Sequence, residues 1–153
     1  MASIHSINIS KGGVPKLPIT QVEVNSLGLV GDYQNDLKHH GGVERAICIY
    51  SLELIEDLKS KGNNIFPGST GENLTIKGLN WSGLKSGIRF LIGDVMIKLT
   101  AEATPCKTIS SSFISGDFSR ISGKKFPGSS RWYASVIQEG SIQVGDELIF
   151  VET

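Results

Sequence analysis

The sequence predicts a mostly β domain, barrel-like, with one clear helix and short peripheral helical turns. Three observations carry this expectation. Short stretches alternate apolar and polar residues; eighteen glycines and five prolines punctuate them; and only one segment spaces its apolar residues as a helix does. The 153 residues suit one domain, taken as 1–153, with no linker that would divide it.

Ile4 to Ile9 alternates as a half-buried strand should, and Gly12-Gly13-Val14-Pro15 ends it. Gln21 to Val24 alternates again. Ala46 to Tyr50 is a nearly continuous apolar run, suited to a fully buried strand. Ser51 is placed to cap a helix whose stripe is Leu54, Ile55 and Leu58, with Glu56 and Lys59 paired outside it and Gly62 as its stop. Asn73 to Ile76 is a further strand. Two hairpins are expected: Ile88–Ile92 with Val95–Thr100 about Gly93-Asp94, and Ile142–Val144 with Glu147–Val151 about Gly145-Asp146. A weak helical turn is expected within Ile109–Ile121. Gly-Asp also occurs at Gly31-Asp32 and Gly116-Asp117. Gly admits positive φ and Asp bonds back to its own backbone, so all four read as turn chemistry.

Fifteen basic and fifteen acidic side chains cancel, and the pI is near 6.8. Nothing therefore draws the whole chain to nucleic acid or an anionic membrane. No apolar run approaches membrane-spanning length, and the N-terminus lacks the pattern of a signal peptide. Cys48 and Cys106 are the two cysteines and form no CxxC pair, which argues against structural zinc or a disulfide framework. A reducing, cytoplasmic setting is expected.

Three constellations are candidates for chemistry. His39-His40-Gly41-Gly42 precedes Glu44-Arg45 and the buried strand, placing His40 and Arg45 near its mouth; the plain alternative is a solvated turn. Pro67 to Asn73 is a glycine-bracketed loop. Its N–H groups suit an anion, although the alternative, a loop that satisfies its own backbone, is favoured by its lack of a P-loop ending. Thr104-Pro105-Cys106-Lys107 follows a strand directly, and Lys107 beside Cys106 favours a thiolate; the plain alternative is burial of Cys106 as a small hydrophobe. Cys48, between Ile47 and Ile49, reads as an inert core residue. From Ala101 to Ser135 five bases face two acids, a local positive excess that suits an anionic ligand such as a phosphate.

In this order the pieces resemble a MOSC domain, the family named for the C-terminal domain of molybdenum-cofactor sulfurases. The carrying residues are Gly28-Leu29-Val30-Gly31-Asp32, His40-Gly41-Gly42 with Arg45-Ala46, Gly68 to Thr75, Pro105-Cys106, and Arg131-Trp132-Tyr133-Ala134 through Gly140 and Gly145-Asp146. The resemblance implies a strand-rich barrel-like fold, in agreement with the reading above. It places the family's cysteine at Cys106, as a molybdenum ligand of the pterin cofactor or as a persulfide carrier. On the first reading Arg45, Lys107 and Arg131 would meet the cofactor phosphate, and His40, Asn73 and Thr104 would bond its pterin or oxo groups. Some members serve the reduction of N-hydroxylated compounds. The chain shows no pyridoxal-phosphate domain, iron–sulfur motif or flavin motif, so a separate cysteine desulfurase or electron-transfer protein is the expected partner. The segment from Lys107 to Gly128 departs from longer members, and their contacts there are not transferred.

Overall fold

Residues 1–33 and 42–152 are described by the structure, a computed structural model. Strand alternation is realised where the sequence shows it. The chain runs β1 (Ser3–Ile9), β2 (Leu17–Ile19), β3 (Gln21–Asn25), β4 (Gly28–Leu29) and β5 (Ile47–Ser51), then helix α1 (Leu52–Ser60). It continues through β6 (Leu74–Lys77), β7 (Arg89–Ile92), β8 (Val95–Ala103), β9 (Arg131–Gln138), β10 (Gly140–Gln143) and β11 (Ile149–Val151). The protein is thus mostly β, and its fold is barrel-like.

The main sheet has the order β11-β7-β8-β9-β5-β6-β1-β2, and a smaller one the order β10-β3-β4. Every pairing is antiparallel except β5 with β6, which α1 and the loop after it connect. The main sheet bends back on itself. Just ahead of β11, Gly145 and Leu148 donate to the carbonyls of Ile4 and Ala2, and Ile4 donates to that of Asp146. That end of the chain therefore runs beside β1, near the opposite edge.

Helix α1 forms as its sequence dictates. The Ser51 hydroxyl accepts from the Leu54 N–H at 3.1 Å, and Ile55 is buried against the sheet. Ile4, Ile7, Ile47, Ile49, Leu74 and Ile76 fill the core between the layers. Each such side chain contributes about 1.5–3 kcal/mol of burial. β5 is buried at all five residues, and its alternation sorts them by face. Cys48 lies with Ala103 and Tyr133 in a small separate cluster. That second face of β5, β8 and β9 is where the pocket forms.

Two expectations change. The Gly145-Asp146 turn exists, with Gly145 at φ +95°, but its arms do not pair with each other. β10 pairs with β3 and β11 with β7, because each finds an antiparallel partner in a different sheet. The single turn expected within Ile109–Ile121 is three 3-10 turns, Lys107–Ser112, Ile114–Gly116 and Phe118–Ile121. Ser and Gly there lower helix propensity and let the chain kink at Ser115, φ 54°. Among the described residues no helix is long and apolar enough to cross a membrane.

Candidate functional site

A pocket of about 180 Å³ opens on the second face of β5 and β9. Its floor comes from paired strands. Cys48 lies opposite Tyr133 in the β5–β9 register, and Arg131 lies two residues before Tyr133, on the same face. The wall on one side is the turn of Thr70 and Gly71 ahead of β6, with Asn73 below. Cys106, Thr108 and Ile109, just past β8, form a further part of the lining. Val14 and Lys16, from the loop between β1 and β2, close a third side, and Arg45 stands near the mouth of β5.

The β6 side is a fully bonded polar framework. Asn73 accepts from the Cys48 N–H at 2.9 Å and donates to the Asp32 carboxylate at 2.9 Å and the Asn8 carbonyl at 3.3 Å. Asp32 takes the Lys16 ammonium on both oxygens, at 2.6 and 2.8 Å, with both side chains only 4% exposed. The Ser10 N–H adds a further donor to that carboxylate. Glu72 has no exposed surface and accepts from the Gly68 N–H and the Thr70 and Thr75 hydroxyls at 2.8–3.0 Å. Burial nevertheless outweighs these donors and pushes its pKa up. A cradle for an outside anion in this loop is therefore taken by the loop's own carboxylate. Gly68 is required there: a Cβ would stand 2.3 Å from the Lys16 carbonyl oxygen.

Arg131 is 5% exposed and lies within this framework. Its Nη1 donates to the Thr70 carbonyl at 2.6 Å, while its buried Nε has no partner among the described residues. A cation in the pocket lining gives the pocket a positive charge that suits an anionic or oxo group. The Arg45 guanidinium lies 5.4 Å from the centre of the Tyr133 ring. Burial pushes the Tyr133 phenol up to about 12, so it remains a hydrogen-bond donor at neutral pH.

The two thiols differ. Burial pushes Cys48 up to about 11, so it stays a thiol. Cys106 is only partly buried, and its Sγ lies 2.9 Å from the Thr108 hydroxyl. Of the two, Cys106 is the one placed to react or to bind a soft metal. Among the described residues no group of three or more His, Cys, Asp or Glu side chains is placed to hold a metal ion.

Of the residues the sequence singles out, the structure brings Cys106, Arg45, Asn73 and Arg131 to one pocket. Thr104 and Lys107 are exposed and outside its lining. His40 lies outside the described residues. Cys48 is buried in a core cluster with Ala103 and Tyr133, as expected, and also lines the pocket. Lys16, Thr108 and Tyr133 also line the pocket and Asp32 holds Lys16, and sequence reasoning did not assign these four to the site. The period-2 pattern of Arg131-Trp132-Tyr133 would have found Tyr133. Nothing local signals that Lys16 and Asp32 meet.

The MOSC domain family model matches residues 36–149. The chain is 28% identical over 135 residues to protein YiiM of Escherichia coli, covering 86% of this chain and 59% of that protein. It is 28% identical over 121 residues to the uncharacterized protein YflK of Bacillus subtilis, covering 77% and 53%. It therefore spans somewhat over half the length of these curated relatives. The crystal structure of YiiM from Geobacillus stearothermophilus superposes with a TM-score of 0.80 at 26% identity, covering 99% of this chain and 76% of that one.

Proposed function

This chain belongs to the MOSC domain family, and from that premise we propose that it binds the molybdenum cofactor, with the Cys106 thiolate as metal ligand. The observation that carries the reading is a partly exposed thiol, Cys106, lining one pocket with two arginines, Arg45 and Arg131. The donor set fits the group. A thiolate suits a metal centre already held by sulfur, and Arg131 with Arg45 suits a phosphate or oxo group. Asn73 would shape the pocket rather than bind, since its amide hydrogens are both bonded within the framework. The pocket is smaller than the roughly 300–1,000 Å³ usual for ligand sites, so it would enclose one end of the cofactor.

When bound, the cofactor would supply two-electron redox chemistry. Reduction of an N-hydroxylated compound consumes two electrons and two protons and releases water, with a separate electron-transfer protein as the electron source. Tyr133 would donate a hydrogen bond to a group in the pocket. The Lys16–Asp32 pair would hold the wall without changing its net charge.

The test is elemental analysis with oxidised-pterin fluorescence on protein from a cofactor-producing host, alongside Cys106→Ser. Near-stoichiometric molybdenum and pterin, lost in the variant, is expected. A variant that keeps full molybdenum overturns the ligand assignment. A second reading, favoured by the exposure of Cys106 over Cys48, makes Cys106 a persulfide carrier loaded by a separate cysteine desulfurase. Metal-free protein that gains one sulfur atom at Cys106 on incubation with a desulfurase and cysteine would select it.

A further inference from the structure

Strand register maps the outward face of β11, β7 and β8. One row across the strands is Val151, Arg89 and Lys98; the next is Ile149, Leu91 and Met96. Buried residues alternate with these along β7 and β8, so both rows stand on the side away from the core. Leu91, Met96 and Val151 are half-buried but are neither part of the core nor packed against it, and Ile149 is 53% exposed. Helix α1 packs on β5 and β6 instead.

Arg89 and Lys98 stand directly opposite each other in the antiparallel pair. Like charges so placed repel. Among the described residues neither forms an ion pair. Glu44 reaches this sheet through its carbonyl, which accepts from the Thr100 hydroxyl, and its carboxylate forms no ion pair with Lys98. The face is thus a positive pair bordered by apolar side chains, and a carboxylate beside an apolar group complements it. Three strands span about 10 Å, the width of one helix. Along the strands the two rows lie about 7 Å apart, close to the ~6 Å between helix residues four apart.

We propose that this face binds an amphipathic helix of a partner protein, laid along the strands. An apolar side chain of that helix meets the Ile149–Leu91–Met96 row, and a carboxylate four residues away sits between Arg89 and Lys98. Two rows of three side chains cover far less than the roughly 800 Å² per partner of a standard interface, which favours a single transient helix over a second copy of this chain.

The probe is a short helical peptide with leucine and glutamate four residues apart on one face, with glutamine and lysine versions as controls. Titrated into nitrogen-15-labelled protein at low salt, the glutamate peptide is expected to shift the amides of Arg89, Leu91, Met96, Lys98 and Ile149. The glutamine peptide should bind about tenfold more weakly, and the lysine peptide more weakly still. Lys98→Glu should erase the preference for glutamate over glutamine. It should also raise the urea midpoint of the free chain, because it removes the repulsion across the pair. Ile149→Ser should weaken binding of all three peptides. No binding, equal affinity for the three peptides, shifts centred on the Cys106 pocket, or a Lys98→Glu midpoint at or below that of the native chain overturns the proposal. A dimer of the native chain that Lys98→Glu disperses would give the face to a second copy and overturn it too. None of these readouts needs metal or pterin, so they stand apart from the cofactor reading.

Discussion

The two walls of the pocket are built on opposite principles. On the β6 side a polar framework is bonded within itself: Asn73 joins Cys48, Asp32 and Asn8, and Asp32 holds Lys16. Cys106 and Thr108, by contrast, rest on a short 3-10 turn, partly open to solvent. The closed wall fixes geometry and charge because low dielectric makes each of its bonds costly to break. The open wall leaves a thiol accessible.

The largest effect should come from breaking the closed wall. Asp32→Ala leaves the Lys16 ammonium buried without its partner, and the Asn73 amide loses an acceptor. A loss of about 3–5 kcal/mol is expected, read from urea unfolding midpoints. A loss below about 0.5 kcal/mol would mean that water replaces the carboxylate and that this wall is not closed.

The thiols sharpen the comparison. Raising Cys48 from 9.0 to about 11 lowers its thiolate fraction about a hundredfold at neutral pH relative to an ordinary cysteine. Mass spectrometry during alkylation of the folded protein should find Cys106 modified first, and Cys48 only as the chain unfolds. Modification of Cys48 at the rate of Cys106 would show that both walls open together.

Glu72 gives the closed wall a pH dependence. Unfolded, the carboxyl ionises near its ordinary value of 4.5; folded, burial makes it hold its proton to higher pH. Stability from that proton is complete below the ordinary value and is lost as pH climbs through the raised one. Denaturation midpoints of the native chain should therefore fall across that window. In Glu72→Gln, which has no proton to release, the contribution should vanish and the curve flatten. Equal slopes for both proteins would place the pH dependence elsewhere.

The open wall was easier to find in the sequence than the closed one. Cys106 stands after a strand and a proline, and the buried run from Ile47 to Tyr50 and the helix capped by Ser51 declare themselves by local pattern. The partners of the closed wall are separated along the chain, Lys16 from Asp32 by sixteen residues and Asn8 from Asn73 by sixty-five. Only strand pairing brings them together, and no local pattern encodes which strand pairs with which. The same limit explains the arms of the Gly145-Asp146 turn, where the turn residues were legible but the partners of β10 and β11 were not. Asp32 shows it within one residue: the Gly-Asp pattern announces a turn, and the carboxylate's long-range work in the pocket wall leaves no trace beside it.

The smallest expected effect comes from the open wall. Thr108→Val keeps the side chain's shape and removes the hydroxyl that meets the Cys106 sulfur at 2.9 Å. The site is exposed, so water can take the lost partner's place and the unfolding midpoint should move by less than about 0.5 kcal/mol. Asn73→Ala removes three side-chain hydrogen bonds from the closed wall and leaves the buried Cys48 N–H unmet, which alone should cost about 1–3 kcal/mol. Measured side by side, the two variants ask whether position or bond type sets the cost. If Thr108→Val destabilises as much as Asn73→Ala, the turn that carries Cys106 is as closed as the polar framework, and the thiol's accessibility must arise from motion of the turn rather than from its resting exposure.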